Sequence, residues 1–290
     1  MTNANLSLLD RCLTLVGEKP YVGVPFGTCI DGLTIVRSHE PSAIEPTLYQ
    51  PMICLVLQGA KEIIYGDRSV LFSQDETAIV THEVIAPARI VRAEPEKPYV
   101  AIAAVLDLDI LRSLYAEIEQ QEIEAAQAVA AGAAGHEMTD VIRRLLDMVD
   151  KPLERRVLLQ STWRELHFRV LLSRHGAMAR QLMRLDSTAS RIAKSITHIR
   201  NHWDATIRLG ELARIAGMSE SSFHAHFREV TATSPLQYQK ALRLFEARRR
   251  LTQGSEPVSS VAFGVGYESP TQFSRDYRRA YGMAPSETRG

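Results

Sequence analysis

Thr271, Arg275 and Arg278 lie four and three residues apart in PTQFSRDYRRAY. A helix over this stretch sends all three to one side and Phe273, Tyr277 and Ala280 to the other. The forked guanidinium of arginine fits the O6 and N7 acceptors of guanine, and the hydroxyls of Thr271 and of the flanking Ser274 suit bases or phosphates. That composition points to double-stranded DNA; a merely solvated arginine face is the plainer alternative. A second stretch, ESSFHAHFREV, repeats the division. Ser221, Ala225 and Arg228 oppose Phe223, Phe227 and Val230, with Ser222 and His224 on the flanks. Ser221, His224, Arg228, Thr271, Ser274, Arg275 and Arg278 are therefore the candidate DNA contacts.

The elements that must position these faces form an internal repeat with a period of about 50 residues. LGELARIAGMSESSFHAHFREVTATSP, from Leu209, and VSSVAFGVGYESPTQFSRDYRRAYGMAP, from Val258, share one layout. Leu212-Ala213 answers Val261-Ala262, and Gly217 answers Gly266. After one extra residue in the second turn, Phe223, Phe227, Thr231 and Pro235 answer Phe273, Tyr277, Tyr281 and Pro285. Each unit is expected to be a short helix, a glycine turn and a second helix capped by Ser219 or Ser269: helix-turn-helix units over about 209–230 and 258–281. Between them, SPLQYQKALRLFEARRRLTQG predicts one helix from about Ser234 to Gln253, ended by Gly254, with Tyr238, Leu242, Phe245 and Leu251 as its apolar positions. Such a helix spans roughly 30 Å, close to the 34 Å repeat of DNA. Its Arg248–Arg250 run would track phosphates or simply be solvated.

The 290 residues carry no net charge, but the charge is divided unevenly. From Ser190 onward 15 lysines and arginines face 9 acidic residues, leaving this part near +6 and the remainder near −6. A basic C-terminal third favours a polyanionic partner. No apolar run reaches membrane-spanning length and the first 20 residues lack the pattern of a secretory signal, so a cytoplasmic protein without membrane contact is expected.

From Pro20 to about Leu106, β-branched runs between Gly, Pro and Asp breaks predict a sandwich or barrel, with a hairpin at Gly66-Asp67. Helical periodicity follows through LDILRSLYAEIEQQEIEAAQAV, MTDVIRRLLDMVD and PLERRVLLQSTWRELHFRVLLS, with a flexible AAGAAGHE after the first. In the third helix Leu153, Val157, Leu158, Leu166 and Val170 form an apolar stripe, to be buried on its own domain or against a second subunit. RQLMRLDSTAS is the expected boundary between an N-terminal domain, 1–185, and a C-terminal one, 190–290.

No G-x-S-x-G, Walker loop, dinucleotide fingerprint or H-E-x-x-H is present, so neither an enzyme nor a cofactor is expected. In the β region only His39 and His82 could ligate a metal, which makes a metallo-oxygenase reading weak and a metal site unexpected. Cys54 reads most simply as a buried strand residue, and Cys29 as more accessible; electrophile sensing by either is the sharper alternative.

The tandem LGELARIAGMSESSFHAHFREVTATSPLQYQKALRL and VAFGVGYESPTQFSRDYRRAYGMAPSETR resembles the DNA-binding domain of the AraC/XylS family of bacterial transcription regulators. The resemblance implies that the second helix of each unit is a recognition helix, with Ser221, His224, Thr271, Ser274 and Arg275 near bases or phosphates. Two positions depart from the family pattern: Ala225, where many members have arginine, and Ala232, where glycine usually follows threonine. PFGTCIDGLTIVR, YQPMICLVLQGAKEIIYGDR and PEKPYVAIAAVLDLDILRSL resemble the N-terminal domain of one branch of that family, implying a cupin-like fold that senses a small molecule. The expected fold is thus α+β: a β-rich cupin-like barrel with following helices, then an all-α domain of two helix-turn-helix units joined by a long helix. The implied partners are double-stranded DNA and a small-molecule effector, with RNA polymerase a further partner left open. Monomer and homodimer both stay open. The rival reading is a cupin-like small-molecule-binding protein or enzyme whose helical tail is an interaction module.

Overall fold

The computed structural model describes residues 3–17, 25–118, 129–133, 135–173, 176–184, 186–254 and 256–288. A helix, α1 (Asn3–Val16), precedes nine strands: β1 (Phe26–Gly27), β2 (Leu33–Ser38), β3 (Glu45–Tyr49), β4 (Met52–Gln58), β5 (Ala60–Tyr65), β6 (Arg68–Ser73), β7 (Glu76–Val80), β8 (Val84–Arg92) and β9 (Tyr99–Val105). Then come α2 (Leu108–Ile118), β10 (Val129–Ala133), α3 (His136–Asp147), α4 (Pro152–Leu172) and α5 (Gly176–Met183).

All strand pairs are antiparallel and fall into two sheets, β1-β2-β9-β4-β7-β10 and β3-β8-β5-β6. Among the described residues no strand pairing joins the sheets, so the β-rich part is an open two-sheet sandwich rather than the closed barrel the sequence suggested. Alternation along β4 explains its two cores. Ile53, Leu55 and Leu57 face the helices α1–α5, whereas Met52, Cys54 and Val56 face the four-stranded sheet. The expected hairpin is present, with Gly66 at φ 62° between β5 and β6.

Two helical expectations change. Ala130–Ala133, expected to be flexible, belongs to β10, which extends the larger sheet by pairing with β7. The stretch 119–128, read as part of the first helix, lies outside the described residues. In α4 the buried face follows Leu159, Trp163, Leu166 and Val170, at helical spacing. Leu153 and Val157 lie off this phase and are 65% and 66% exposed, so only the C-terminal part of the expected stripe is core.

The remaining helices are α6 (Thr188–Asn201), α7 (Leu209–Ala216), α8 (Glu220–Thr231), α9 (Pro235–Gln253), α10 (Val258–Gly264) and α11 (Pro270–Tyr281). They enclose two cores, one around Phe223 and Phe227 and one around Phe273 and Tyr277, with Trp203 packed against both. The smaller sheet adjoins these helices. Tyr65 donates its hydroxyl proton to the Val230 carbonyl, Tyr238 donates to the Glu83 carbonyl at 2.9 Å, and Arg248 pairs with Glu45 at 2.8 Å. Between β7 and β8, the Glu83 carboxylate meets Arg200 of α6 at 3.0 Å. Beside it the buried imidazole of His82 donates from Nε2 to the Ala189 carbonyl at 3.2 Å. Burial, only partly offset by that bond, lowers the His82 pKa to about 4.

Candidate nucleic-acid interface

The two helix-turn-helix units are built by the same local devices. After α7, Gly217 at φ 62° lets Gly217 N donate to Arg214 O and Met218 N to Ala213 O. After α10, Gly266 at φ 80° repeats both bonds, to Phe263 O and Ala262 O. These paired bonds satisfy the orphan carbonyls at a helix end, and the left-handed residue they require favours glycine. At Gly266 there is a second requirement, because an added Cβ would lie 2.6 Å from the Asp204 carbonyl. The second helices start alike: Ser219 Oγ accepts from Ser222 N, and Ser269 Oγ from Gln272 N.

Phe223 and Phe227, and correspondingly Phe273 and Tyr277, are fully buried with ring centroids 5.5 Å apart in each pair. Val230 and Ala280, expected on these inner faces, are half-buried. The outer faces are accordingly presented to solvent. Ser221, His224, Ala225 and Arg228 are exposed on α8, and Thr271, Arg275, Arg278 and Arg279 on α11. Ser274 is different: half-buried, it donates its hydroxyl to the Pro270 carbonyl at 2.9 Å, leaving only acceptor capacity for a partner. Ser221 Oγ lies 3.3 Å from Ser219 Oγ. Among the described residues Arg228, Arg275 and Arg278 form no ion pair.

The Arg248–Arg250 run contrasts with them. Arg248 pairs with Glu45 and lies 4.5 Å from the Tyr281 ring centroid; Arg249 and Arg250 both hold Glu246, at 2.8 and 2.9 Å. Arg248 and Arg250 are thus half-buried in internal contacts, whereas Arg249 stays exposed beside Glu246. The connecting helix otherwise follows its expected bounds, with Ser234 Oγ accepting from Gln237 N and Gly254 ending it at φ 83°. Leu244 takes a buried position while Phe245 is only half-buried.

Three residues that sequence reasoning missed hold the units in place. Arg243 of α9 donates from Nη1 to Gly266 O and from Nε to Trp203 O, both at 2.8 Å, tying the second unit's turn to the end of α6. Lys240 pairs at 2.8 Å with Asp276, the buried acid of α11, so α9 fixes the roll of that helix. Burial opposes ionisation of Asp276, but hydrogen bonds from Lys240 and Gln272 keep its pKa below the usual carboxylate value. Arg191 binds the carbonyls of Ala216 and Gly217, closing the first turn. The partners of these three residues lie 23 to 40 residues away in sequence, beyond any local pattern.

Elsewhere, His39 is exposed and bonded to Pro95 O, far in role from the buried His82, and no cluster of three potential ligands occurs among the described residues. Cys29 is exposed with Arg155 Nη1 at 2.9 Å, whereas burial pushes the Cys54 thiol up to about 11 despite nearby Lys61. Among the described residues no helix is long and apolar enough to cross a membrane.

Comparison with known proteins accords with this architecture. Residues 212–290 match the helix-turn-helix domain family. Over 89 residues the chain is 34% identical to the probable transcriptional regulator LumQ of Photobacterium leiognathi, covering 31% of this chain and 36% of that protein. Over 78 residues it is 40% identical to the RCS-specific transcriptional activator RclR of Escherichia coli, covering 27% and 28%. The chain thus spans about a third of the length of these curated relatives. In fold it is similar to ToxT of Vibrio cholerae in its unsaturated-fatty-acid-bound form, with a TM-score of 0.58, 10% identity, and 91% of this chain and 95% of that one covered. Residues 29–178, more than half of the chain, match the family of the AraC-type transcriptional regulator N-terminus, and the chain belongs to that family of regulators.

Proposed function

We propose that the protein is a sequence-specific DNA-binding transcription regulator, with a sensor domain over 1–185 and a DNA-binding domain over 190–290. The observation that carries this is the pair of like-built helix-turn-helix units joined by α9, whose 19 residues span about 28 Å. Their exposed faces hold arginines committed to no internal partner, and the spacing suits successive major grooves of one DNA face. Arg275 and Thr271 read base edges. Ser221, His224, Arg228 and Arg278 supply bases or phosphates with further contacts, and Ser274 accepts from a base amino group. The sensor domain binds a small-molecule effector, a reading supported by the fatty acid bound to the Vibrio cholerae neighbour.

Selection of genomic fragments by the purified protein tests the assignment. A recovered consensus with two contacted segments one helical turn apart is the expected result, with affinity falling tenfold or more from low to physiological salt. Failure to enrich any sequence, with salt-insensitive binding, overturns it.

A further inference from the structure

The two helix-turn-helix units differ at one inward-facing position. Asp276 of α11 is only 4% exposed, whereas its counterpart in the repeat is His226 of α8, half-buried and paired with Glu229 at 3.2 Å. The first unit closes its core around Phe223 and Phe227 with no acid at this place, so the fold of such a unit does not demand one. A carboxylate withdrawn from water into an ion pair adds little net stability, and Asp276 therefore calls for a reason beyond folding.

Its contacts supply that reason. Lys240 of α9 holds the Asp276 carboxylate at 2.8 Å, and the Tyr267 hydroxyl donates to it at 3.4 Å. A third donor is the side-chain amide of Gln272, one helical turn earlier. Gln272 lies in the first turn of α11, where the Ser269 cap accepts its backbone N–H, and its side chain is exposed beside Arg275. The first unit has Ser222 here, so it lacks both members of the bridge.

Asp276 stays ionised, against its burial, through the bonds from Lys240 and Gln272. An ionised carboxylate only accepts, which fixes the amide: Nε2 of Gln272 faces Asp276 and Oε1 is turned away from it. One Nε2 hydrogen is thereby used. The other lies beside Oε1, leaving a donor next to an acceptor in a set order. In the major groove adenine offers the matching pair, the N7 acceptor beside the N6 amino donor; guanine offers two acceptors, cytosine a donor, and thymine an acceptor and a methyl group.

We propose that Gln272 is a specificity-determining residue that reads adenine in the major groove, and that Asp276, held by Lys240, is the positioning residue that sets the order of its donor and acceptor. This role rests on the DNA-binding reading above and adds a second base identity to the guanine assigned to Arg275.

Selection from a randomised duplex library by the full-length protein, followed by affinity measurements on the selected site, tests it. The wild type is expected to select an adenine that Gln272→Met, a change of similar length at an exposed position, relaxes to any base while keeping the guanine preference. Replacing that adenine by purine, which lacks the amino group, or by 7-deazaadenine, which lacks the N7 acceptor, should each weaken wild-type binding about fivefold or more and leave Gln272→Met unaffected. Asp276→Asn keeps the size but can also donate, so it should lower adenine discrimination severalfold and leave the guanine preference and non-specific affinity as in the wild type. A uniform loss at every position in Asp276→Asn overturns its positioning role. A consensus in which no adenine depends on Gln272 overturns the whole assignment. Failure of the wild type to select any sequence overturns the DNA-binding reading as well, so the two failures are distinguishable.

Discussion

Arg275 and Ala225 occupy corresponding places in α11 and α8, the two proposed recognition helices, and only the arginine can fork onto a guanine. Arg275→Ala should cost about 1–3 kcal/mol on the preferred site and relax base preference at one position, measured by anisotropy with single-base variants of a duplex. An equal loss on every sequence would reassign Arg275 to phosphate. Arg278→Ala should weaken binding to all duplexes alike and lower the salt slope by about 1. A different test concerns Ala232, which ends α8 at φ 58° where Gly282 ends α11 at φ 73°. Ala232→Gly should raise stability by up to about 1 kcal/mol by relieving the left-handed strain. A lower thermal midpoint would mean that the methyl group, which faces Gly66 of the sensor hairpin, contributes more than the strain costs.

Among the elements, those specified locally were legible. Ser219, Ser234 and Ser269 cap helices as their sequence context demands, and Gly217, Gly254 and Gly266 adopt the positive φ their positions require. Ser269→Ala should accordingly cost about 1 kcal/mol, read from chemical denaturation, and reduce DNA affinity through fraying of the first turn of α11. Elements that depend on distant partners were not legible. Val129–Ala133 has the small residues of a linker and becomes a strand only because β7, some 50 positions earlier, offers an open edge. Likewise α4 contains apolar residues in two phases, and only its packing against other helices selects the one through Trp163 and Leu166. At the candidate site the exposed faces followed from helical periodicity, whereas the partners of Arg243, Lys240 and the Arg248–Arg250 run required the tertiary fold.

On the scale of the whole molecule, His82 makes the junction between halves sensitive to acid. Its folded pKa, about 4, lies below the ordinary 6.5, so between these values the unfolded chain binds more protons. Stability is therefore undiminished above pH 6.5 and is lost as pH falls toward 4, by about 3 kcal/mol relative to a His82→Asn variant. Neighbouring Glu83, whose carboxyl burial raises despite Arg200, titrates in both proteins and largely cancels in the comparison. Urea unfolding at pH 7 and pH 4.5 checks this; parallel curves for the two proteins would refute it. The same junction bears on the connecting helix. Near its start Tyr238 is bonded to Glu83, and ten residues on Arg248 pairs with Glu45 of β3, while Lys240, Arg243 and the apolar residues from Leu244 to Leu251 hold the second unit. It is anchored at two points about 15 Å apart, so a shift of about 1.3 Å between β3 and the β7–β8 turn would tilt it by about 5°. A rearrangement of the sandwich too small to unfold anything can thus re-aim α8 and α11 relative to each other and, on the proposed function, change the phase in which they meet the double helix.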